Sequence, residues 1–101
     1  MSVILEHSDD TLTALLSGEI DHHTAADFRE NIDREVEMTR PALLVLDFGG
    51  VGFMDSSGIG LIMGRYQHVT AYGGRVRVVN APPMIARMMK LAGVGRLDVF
   101  S

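Results

Sequence analysis

The chain has 101 residues, 47% of them hydrophobic, and a formal net charge of −4. This length suits one domain with one core, and the hydrophobic content argues against intrinsic disorder. Because the chain contains no cysteine, disulfides, thiolate zinc sites and cysteine nucleophiles are excluded. The acidic balance disfavours direct DNA binding and favours protein partners with a basic contact surface.

The first twenty residues predict an antiparallel hairpin. Strands are expected at residues 3–7 and 11–17, because Asp9 and Asp10 between them are typical turn residues, and Gly18 is expected to end the second strand. No basic region precedes a long apolar run, so we expect neither a signal peptide nor membrane insertion.

A helix is predicted over residues 24–38. Thr24 and Asp27 have the spacing of a capping box, and Arg40 with Pro41 is expected to end the helix. Asp33 belongs to the charged set that is expected to face water. Apolar residues at spacings of three and four predict one buried stripe, formed by Ala25, Phe28, Ile32 and Val36.

The second half of the sequence alternates strands and helices. The apolar run 42–46 is typical of a central parallel strand that is buried on both faces, and a loop is expected over residues 49–54. A helix over residues 56–70 and a strand over residues 75–79 come next. A third helix opened by Pro82 and Pro83 and a last strand over residues 97–100 complete the chain. The buried side of the third helix is expected at Ile85, Met88, Met89 and Ala92. This order predicts a single α/β domain over residues 1–101, with a mixed, mostly parallel sheet of four to five strands and about three helices.

Two serines lie at the predicted start of the second helix. Ser56 and Ser57 follow Asp55, and the first amides of a helix lack internal partners, so a phosphate there would meet N–H donors and a favourable dipole. The same pattern is equally typical of a plain N-cap, which is the commoner role. Gly60 and Gly64 share a helix face and predict close packing, since their spacing matches neither a dinucleotide nor a phosphate-loop motif.

The loops 18–23 and 47–57 both follow carboxyl ends of predicted strands, where open sheets of this kind place their sites. Asp21 is therefore expected near Asp55. Its role at the helix start is expected to be shared with Thr24, which leaves Asp21 for an interface. His22 and His23 are interpreted as polar loop residues, because no further ligand-spaced cluster accompanies them.

Two segments together resemble the bacterial STAS-domain anti-sigma factor antagonists, and the likeness in element order extends over nearly the whole chain. The segments are Gly18-Glu19-Ile20-Asp21-His22-His23-Thr24-Ala25 and Phe53-Met54-Asp55-Ser56-Ser57-Gly58-Ile59-Gly60. Such a domain, active in sporulation or stress responses, binds an anti-sigma factor that is also a serine kinase and thereby releases a sigma factor. The kinase brings ATP and metal, so the resemblance implies no cofactor or metal for this chain.

The resemblance implies a switch at the serine directly after the aspartate, which is Ser56. Its phosphorylation ends binding, and a serine phosphatase restores it. The chain is then a cytoplasmic regulator and not an enzyme. Members often carry a further helix after the last strand, whereas the sequence ends at Ser101, and self-association as a weak homodimer stays open. The partner-binding residues that the resemblance implies are Asp21, His23, Asp55, Ser56, Ser57 and Gly58.

Two alternatives remain. A STAS subunit of a stress-signalling or transporter-associated complex would share Ser56 and differ in partner. A weak nucleotide-binding or hydrolytic enzyme would have to combine Ser56 and Asp55 with His22 or His23, and no oxyanion or phosphate-loop motif supports it. The sequence does not name the sigma factor or the phosphatase.

Overall fold

In the computed structural model, which describes residues 2–100, strands β1 (Ser2–Ser8) and β2 (Thr11–Ile20) form the expected antiparallel hairpin. Strand β2 does not end at Gly18 as expected. It continues because Gly18 adopts a φ of 90°, which glycine tolerates, and two register shifts against the neighbouring strand absorb the irregularity. The strand therefore carries the chain to the edge of the sheet.

Three helices follow, the first two joining parallel strands. Helix α1 (His22–Thr39) connects β2 to β3 (Leu43–Met54), and helix α2 (Ser56–Ala71) connects β3 to β4 (Arg75–Val79). The sheet order is β1-β2-β3-β4. Helix α3 (Pro83–Leu91) opens with the expected proline. The mixed, mostly parallel sheet and the three helices are as the sequence predicts.

Strand β3 is central but buried on only one face. Leu44, Leu46 and Phe48 are fully buried, whereas Leu43 and Val45 are half-exposed. Both crossovers move in the same direction across the sheet, so right-handed connections place α1 and α2 on one face. The expectation that the run 42–46 is buried on both faces is therefore wrong. The loop expected over residues 49–54 is also wrong, since the strand continues to Met54.

The core fills the space between the helices and this one face of the sheet. The stripe on α1 is confirmed at Phe28, Ile32 and Val36, which are buried. Helix α3 buries Ile85 and Met89, whereas Ala92 lies beyond its end and is exposed, contrary to expectation. None of the helices in the described part of the chain is long and apolar enough to cross a membrane.

The segment after α3 differs from the expected strand over residues 97–100. Val94–Leu97 forms a 3₁₀ turn, and Asp98 adopts a left-handed φ of 56°. Phe100 makes only an isolated parallel bridge to Val78, beside a 2.7 Å hydrogen bond from the Val78 amide to the Val99 carbonyl. The left-handed turn prevents this segment from becoming a full fifth strand.

Candidate functional site

Strands β2 and β3 end side by side, and each is followed at once by an aspartate. Ile20 pairs with Met54, and the backbone amide of Asp55 donates a 3.1 Å hydrogen bond to the carbonyl of Ile20. Asp21 and Asp55 therefore leave neighbouring parallel strands at the same edge. This is the carboxyl edge at which the sequence places the two loops.

Asp21 is the N-cap of α1. Its Oδ1 accepts hydrogen bonds from the amides of His23 and Thr24, both 2.9 Å long. Thr24 Oγ1 accepts in turn from the Asp21 amide and donates 2.8 Å to the carbonyl of Glu19. The expected capping pair of Thr24 with Asp27 is therefore wrong, whereas the expected sharing of the cap between Asp21 and Thr24 is confirmed by this reciprocal capping box. The hydrogen bond from the Thr24 amide is the largest of the effects that lower the pKa of the Asp21 carboxyl.

Ser56 is the first residue of α2 and is exposed. The preceding Asp55 is the N-cap, with Oδ1 accepting from the Ser57 amide at 2.8 Å and its carbonyl accepting from the Gly58 amide at 3.0 Å. Ser57 is half-buried. The two serines are thus distinct, since Ser56 is the more accessible hydroxyl of the pair.

Gly58 is the glycine of α2 that close packing requires. It is buried, and a Cβ on it would overlap Cγ and Sδ of Met54. Gly60 and Gly64, in contrast, have no atom within 4 Å of an added Cβ. The expected packing of that glycine face is therefore wrong. These two glycines instead line an open groove of about 610 Å³ between α1 and α2.

One residue that lines this groove, Arg65, forms an ion pair between the two helices. Arg65 on α2 is only 6% exposed, and its Nε lies 2.7 Å from Oδ1 of Asp33 on α1. Burial lowers the pKa of Arg65, and the carboxylate of Asp33 partly offsets that effect. The expectation that Asp33 faces water is wrong. Arg65 falls in register with Leu61, Ile62 and Val69 on the buried stripe of α2, which is the signal that identifies it.

Exposed apolar side chains lie beside Ser56. A groove of about 510 Å³ runs between the start of α2 and helix α3, and Met84 and Leu91 on its α3 side are 85% and 83% exposed. Phe53, three residues before Ser56, is 52% exposed. Large apolar residues gathered at an exposed functional edge are typical of a protein-binding surface.

The histidines lie at the start of α1, with ring centroids 5.7 Å apart and both side chains exposed. Among residues 2–100, no hydrogen bond joins Ser56 to either ring. In the same part of the chain no group of three or more histidine, aspartate or glutamate side chains could hold a metal ion. The arrangement presents an exposed hydroxyl rather than a serine paired with a base.

The sequence profile of the STAS domain matches residues 2–100. The chain belongs to the STAS domain family. An anti-sigma F factor antagonist of Paenibacillus polymyxa is 33% identical over 97 residues, which cover 96% of this chain and 83% of the relative.

Two solved structures of a STAS protein are similar to this domain. The unphosphorylated form of the anti-sigma factor antagonist SpoIIAA has a TM-score of 0.86 and 29% identity, covering 99% of this chain and 86% of that one. The phosphorylated form of SpoIIAA, described as a Bacillus cell fate determinant, has a TM-score of 0.78 at 29% identity, with coverage of 99% and 89%. The STAS fold and the bacterial relatives named as antagonists thus agree with the resemblance seen in the sequence.

Proposed function

We propose that this STAS domain is an anti-sigma factor antagonist that is switched by phosphorylation of Ser56. The unphosphorylated form binds an anti-sigma factor, which is also an ATP-dependent serine kinase, and so releases a sigma factor. The observation that carries the proposal is the exposed Ser56 at the first position of α2, beside two aspartate caps on neighbouring strands. The relatives named as anti-sigma factor antagonists support the choice of partner.

The exposure of the two serines and the cap at Asp55 both favour Ser56 over Ser57 as the kinase substrate. A kinase must bring the hydroxyl into its own active site, and Ser56 is exposed whereas Ser57 is half-buried against the groove between α1 and α2. The amide of Ser57 is also bonded to Asp55, which fixes the backbone at that residue. We infer that Ser56 can be presented without unwinding the first turn of α2.

A phosphate on Ser56 acts on the partner more than on the domain. It adds a charge of about −1.5 to −2 at an edge that already carries the carboxylates of Asp21 and Asp55. The positive end of the α2 dipole stabilises this added charge by about 0.3–1 kcal/mol, or by up to ~2 kcal/mol in a sheltered geometry, and so offsets part of the repulsion from the two carboxylates. A bound partner would have to desolvate the added dianion or place its own acids against it, which is why binding ends.

The proposed contact surface combines polar and apolar groups. The apolar part is formed by residues on both sides of Ser56, namely Phe53, Ile59, Met84, Met88 and Leu91. Gly58 contributes indirectly, because the absence of a side chain lets the first turn of α2 pack directly against Met54. The polar contacts are assigned to Asp21, His23, Asp55, Ser56 and Ser57.

The remaining partners follow from the switch. A serine phosphatase would remove the phosphate, and an ATP-dependent kinase as partner places the chain in the cytoplasm. The chain would then act by binding and carry out no catalysis of its own. Its formal net charge of −4 favours a partner with a basic contact surface over DNA.

The experiment uses the purified chain with candidate anti-sigma factor kinases from the same genome, magnesium and ATP. Phosphopeptide mass spectrometry should find phosphate on Ser56 in the natural chain and in Ser57→Ala, and none in Ser56→Ala. Isothermal titration calorimetry should show binding of unphosphorylated chain and at least a tenfold weaker affinity after phosphorylation. Phosphate mainly on Ser57 would contradict the site, and absence of binding to every kinase of this class would contradict the function.

A further inference from the structure

The face of the sheet opposite the helices carries charges of opposite sign on its two outer strands. Hydrogen-bonded register places Glu6 of β1, Thr13 of β2, Val45 of β3 and Arg77 of β4 in one row across this face. Glu6 and Arg77 are separated by three strand spacings, about 14 Å, so they cannot pair with each other. Among residues 2–100 neither takes part in an ion pair.

The row on one side of this one is largely apolar, and the row on the other side is largely polar. One contains Ile4, Leu15 and Val79 with Asp47, and the carboxylate oxygens of Asp47 already accept bonds from the Gly49 amide and the Asn80 side chain, at 2.8 and 2.9 Å. Ile4 is 59% exposed. The other row runs Ser8, Thr11, Leu43 and Arg75. Within the described residues no helix covers this surface, which we call the open face.

The open face is complementary to itself under one symmetry operation. A two-fold axis lying between two copies and parallel to the strands places β1 of one copy opposite β4 of the other, with every row at the same height. Glu6 then lies opposite Arg77 of the second copy, and Arg77 opposite Glu6 of that copy. A two-fold axis perpendicular to the strands would instead place like strands, and so like charges, opposite each other. The charge pattern therefore selects one dimer geometry.

Sheet packing supplies the dimensions. Facing sheets lie about 10 Å apart with strands nearly aligned, a gap that glutamate and arginine side chains can bridge from both sides. Three rows across four strands give about 400 Å² per copy, or about 800 Å² in total, which is below the standard size of stable interfaces. The size and the charges thus fit a weak, transient dimer.

We propose that the open face is a self-association surface on which two copies of this chain form a weak isologous dimer, with Glu6 of each copy paired to Arg77 of the other. The surface shares no residue with the Ser56 edge, so the dimer is independent of the proposed function. Both ion pairs lie at the rim and are accessible to ions. Association therefore strengthens at low ionic strength and weakens as salt is added.

The test is sedimentation equilibrium of the whole chain over a range of concentrations at low salt. Glu6→Arg and Arg77→Glu should each weaken dimerisation by about tenfold or more, since each places two like-charge pairs in the interface. The double variant should restore it. A mixture of the two single variants should form a heterodimer, although neither variant associates with itself.

Matched controls on α1 are Arg34→Glu and Glu37→Arg, which make the same changes in net charge at exposed positions away from the open face. Circular dichroism melts confirm that each variant is folded. A natural chain that stays monomeric throughout the range overturns the proposal. So does a dimer that responds equally to the α1 controls, or one that ignores Arg77→Glu, which would indicate pairing through the β1 edge.

Discussion

The Nε atom of Arg65 and the Oδ1 atom of Asp33 lie 2.7 Å apart between α2 and α1, with the arginine side chain 7% and the aspartate side chain 23% exposed. Both atoms are themselves buried, so water does not screen this contact directly. The guanidinium also reaches the Leu61 carbonyl at 3.4 Å. This pair joins the two helices that begin at the proposed functional edge.

Removing the aspartate alone should destabilise the domain. Asp33→Ala leaves a buried guanidinium without its counter-ion, which typically costs 3–5 kcal/mol when both groups are buried. Because Asp33 is partly exposed, we expect about 2–3 kcal/mol from urea unfolding. Replacing both residues, as Asp33→Leu with Arg65→Met, should recover most of that loss. Glu37→Ala, on the exposed side of α1, is the control, and an equal loss in it would contradict a special role for the pair.

The order of elements could be predicted from the sequence, but how far two strands extend could not. The periodicity of α1 and the apolar run in β3 arise from local composition, which a single sequence displays. The continuation of β2 through Gly18 depends on a left-handed φ and on pairing with β3, a contact remote in sequence. Pairing with β2 likewise extends β3 through residues 49–54, a glycine-rich segment whose local composition is typical of a loop.

The candidate site was predictable in position but not in detail. Ser56 and Asp55 lie where the helix-start pattern predicts them. The sequence predicts that Asp21 and Thr24 share the cap, but it also predicts a capping pair of Thr24 with Asp27, and only the end of β2 at Ile20 decides between the two pairs. The roles of the glycines in α2 depend on which face of the helix packs against other side chains. Helical spacing alone does not reveal that Gly58 lies against Met54 while Gly60 and Gly64 face open space.

The glycines of α2 should respond in opposite directions to alanine. Gly58→Ala introduces a methyl group into the space of the buried Met54 side chain, and overpacking of this kind costs about 1–3 kcal/mol. Gly60→Ala meets open space in the middle of a helix, so it should stabilise the domain by about 1 kcal/mol. Thermal and urea unfolding of the two variants measure this. Destabilisation by both would revive the packed-face interpretation of Gly60.

The cap at Asp21 should make stability depend on acid pH. Since the pKa of Asp21 is lowered in the folded chain, its contribution is fully present above the unfolded value near 3.8 and is lost as the pH falls through the folded pKa. Asp21→Ala should therefore be less stable than the natural chain at pH 7, with the difference shrinking below about pH 4. Urea unfolding from pH 7 to 3 tests this, with Asp27→Ala as the exposed control on the same helix. A difference that stays constant with pH would contradict the cap as its origin.

Phosphorylation of Ser56 should block the partner locally and leave the fold of the domain unchanged. The attraction of the α2 start and the repulsion by the neighbouring carboxylates oppose each other, so no strong force drives rearrangement. The scaffold beneath is anchored by the buried Gly58 on Met54 and by the Asp55 amide bonded to Ile20, which a phosphate on an exposed hydroxyl does not disturb.

Amide NMR spectra of free and phosphorylated chain decide between a local block and a conformational switch. We expect shifts at residues 18–24 and 54–60, and on the side of α3 that lines the groove beside Ser56. Ser56→Asp should keep its fold and bind the kinase more weakly than the natural chain. Its effect should be smaller than that of phosphate, because it has one negative charge and lacks the three phosphate oxygens. Ser57→Asp is the matched control. It should destabilise the first turn of α2 more than Ser56→Asp does, because a charge at the half-buried position 57 is poorly solvated. Large shifts throughout Arg75–Val79, far from the carboxyl edge of β2, would mean that the phosphate rearranges the sheet and that binding ends by a change of shape.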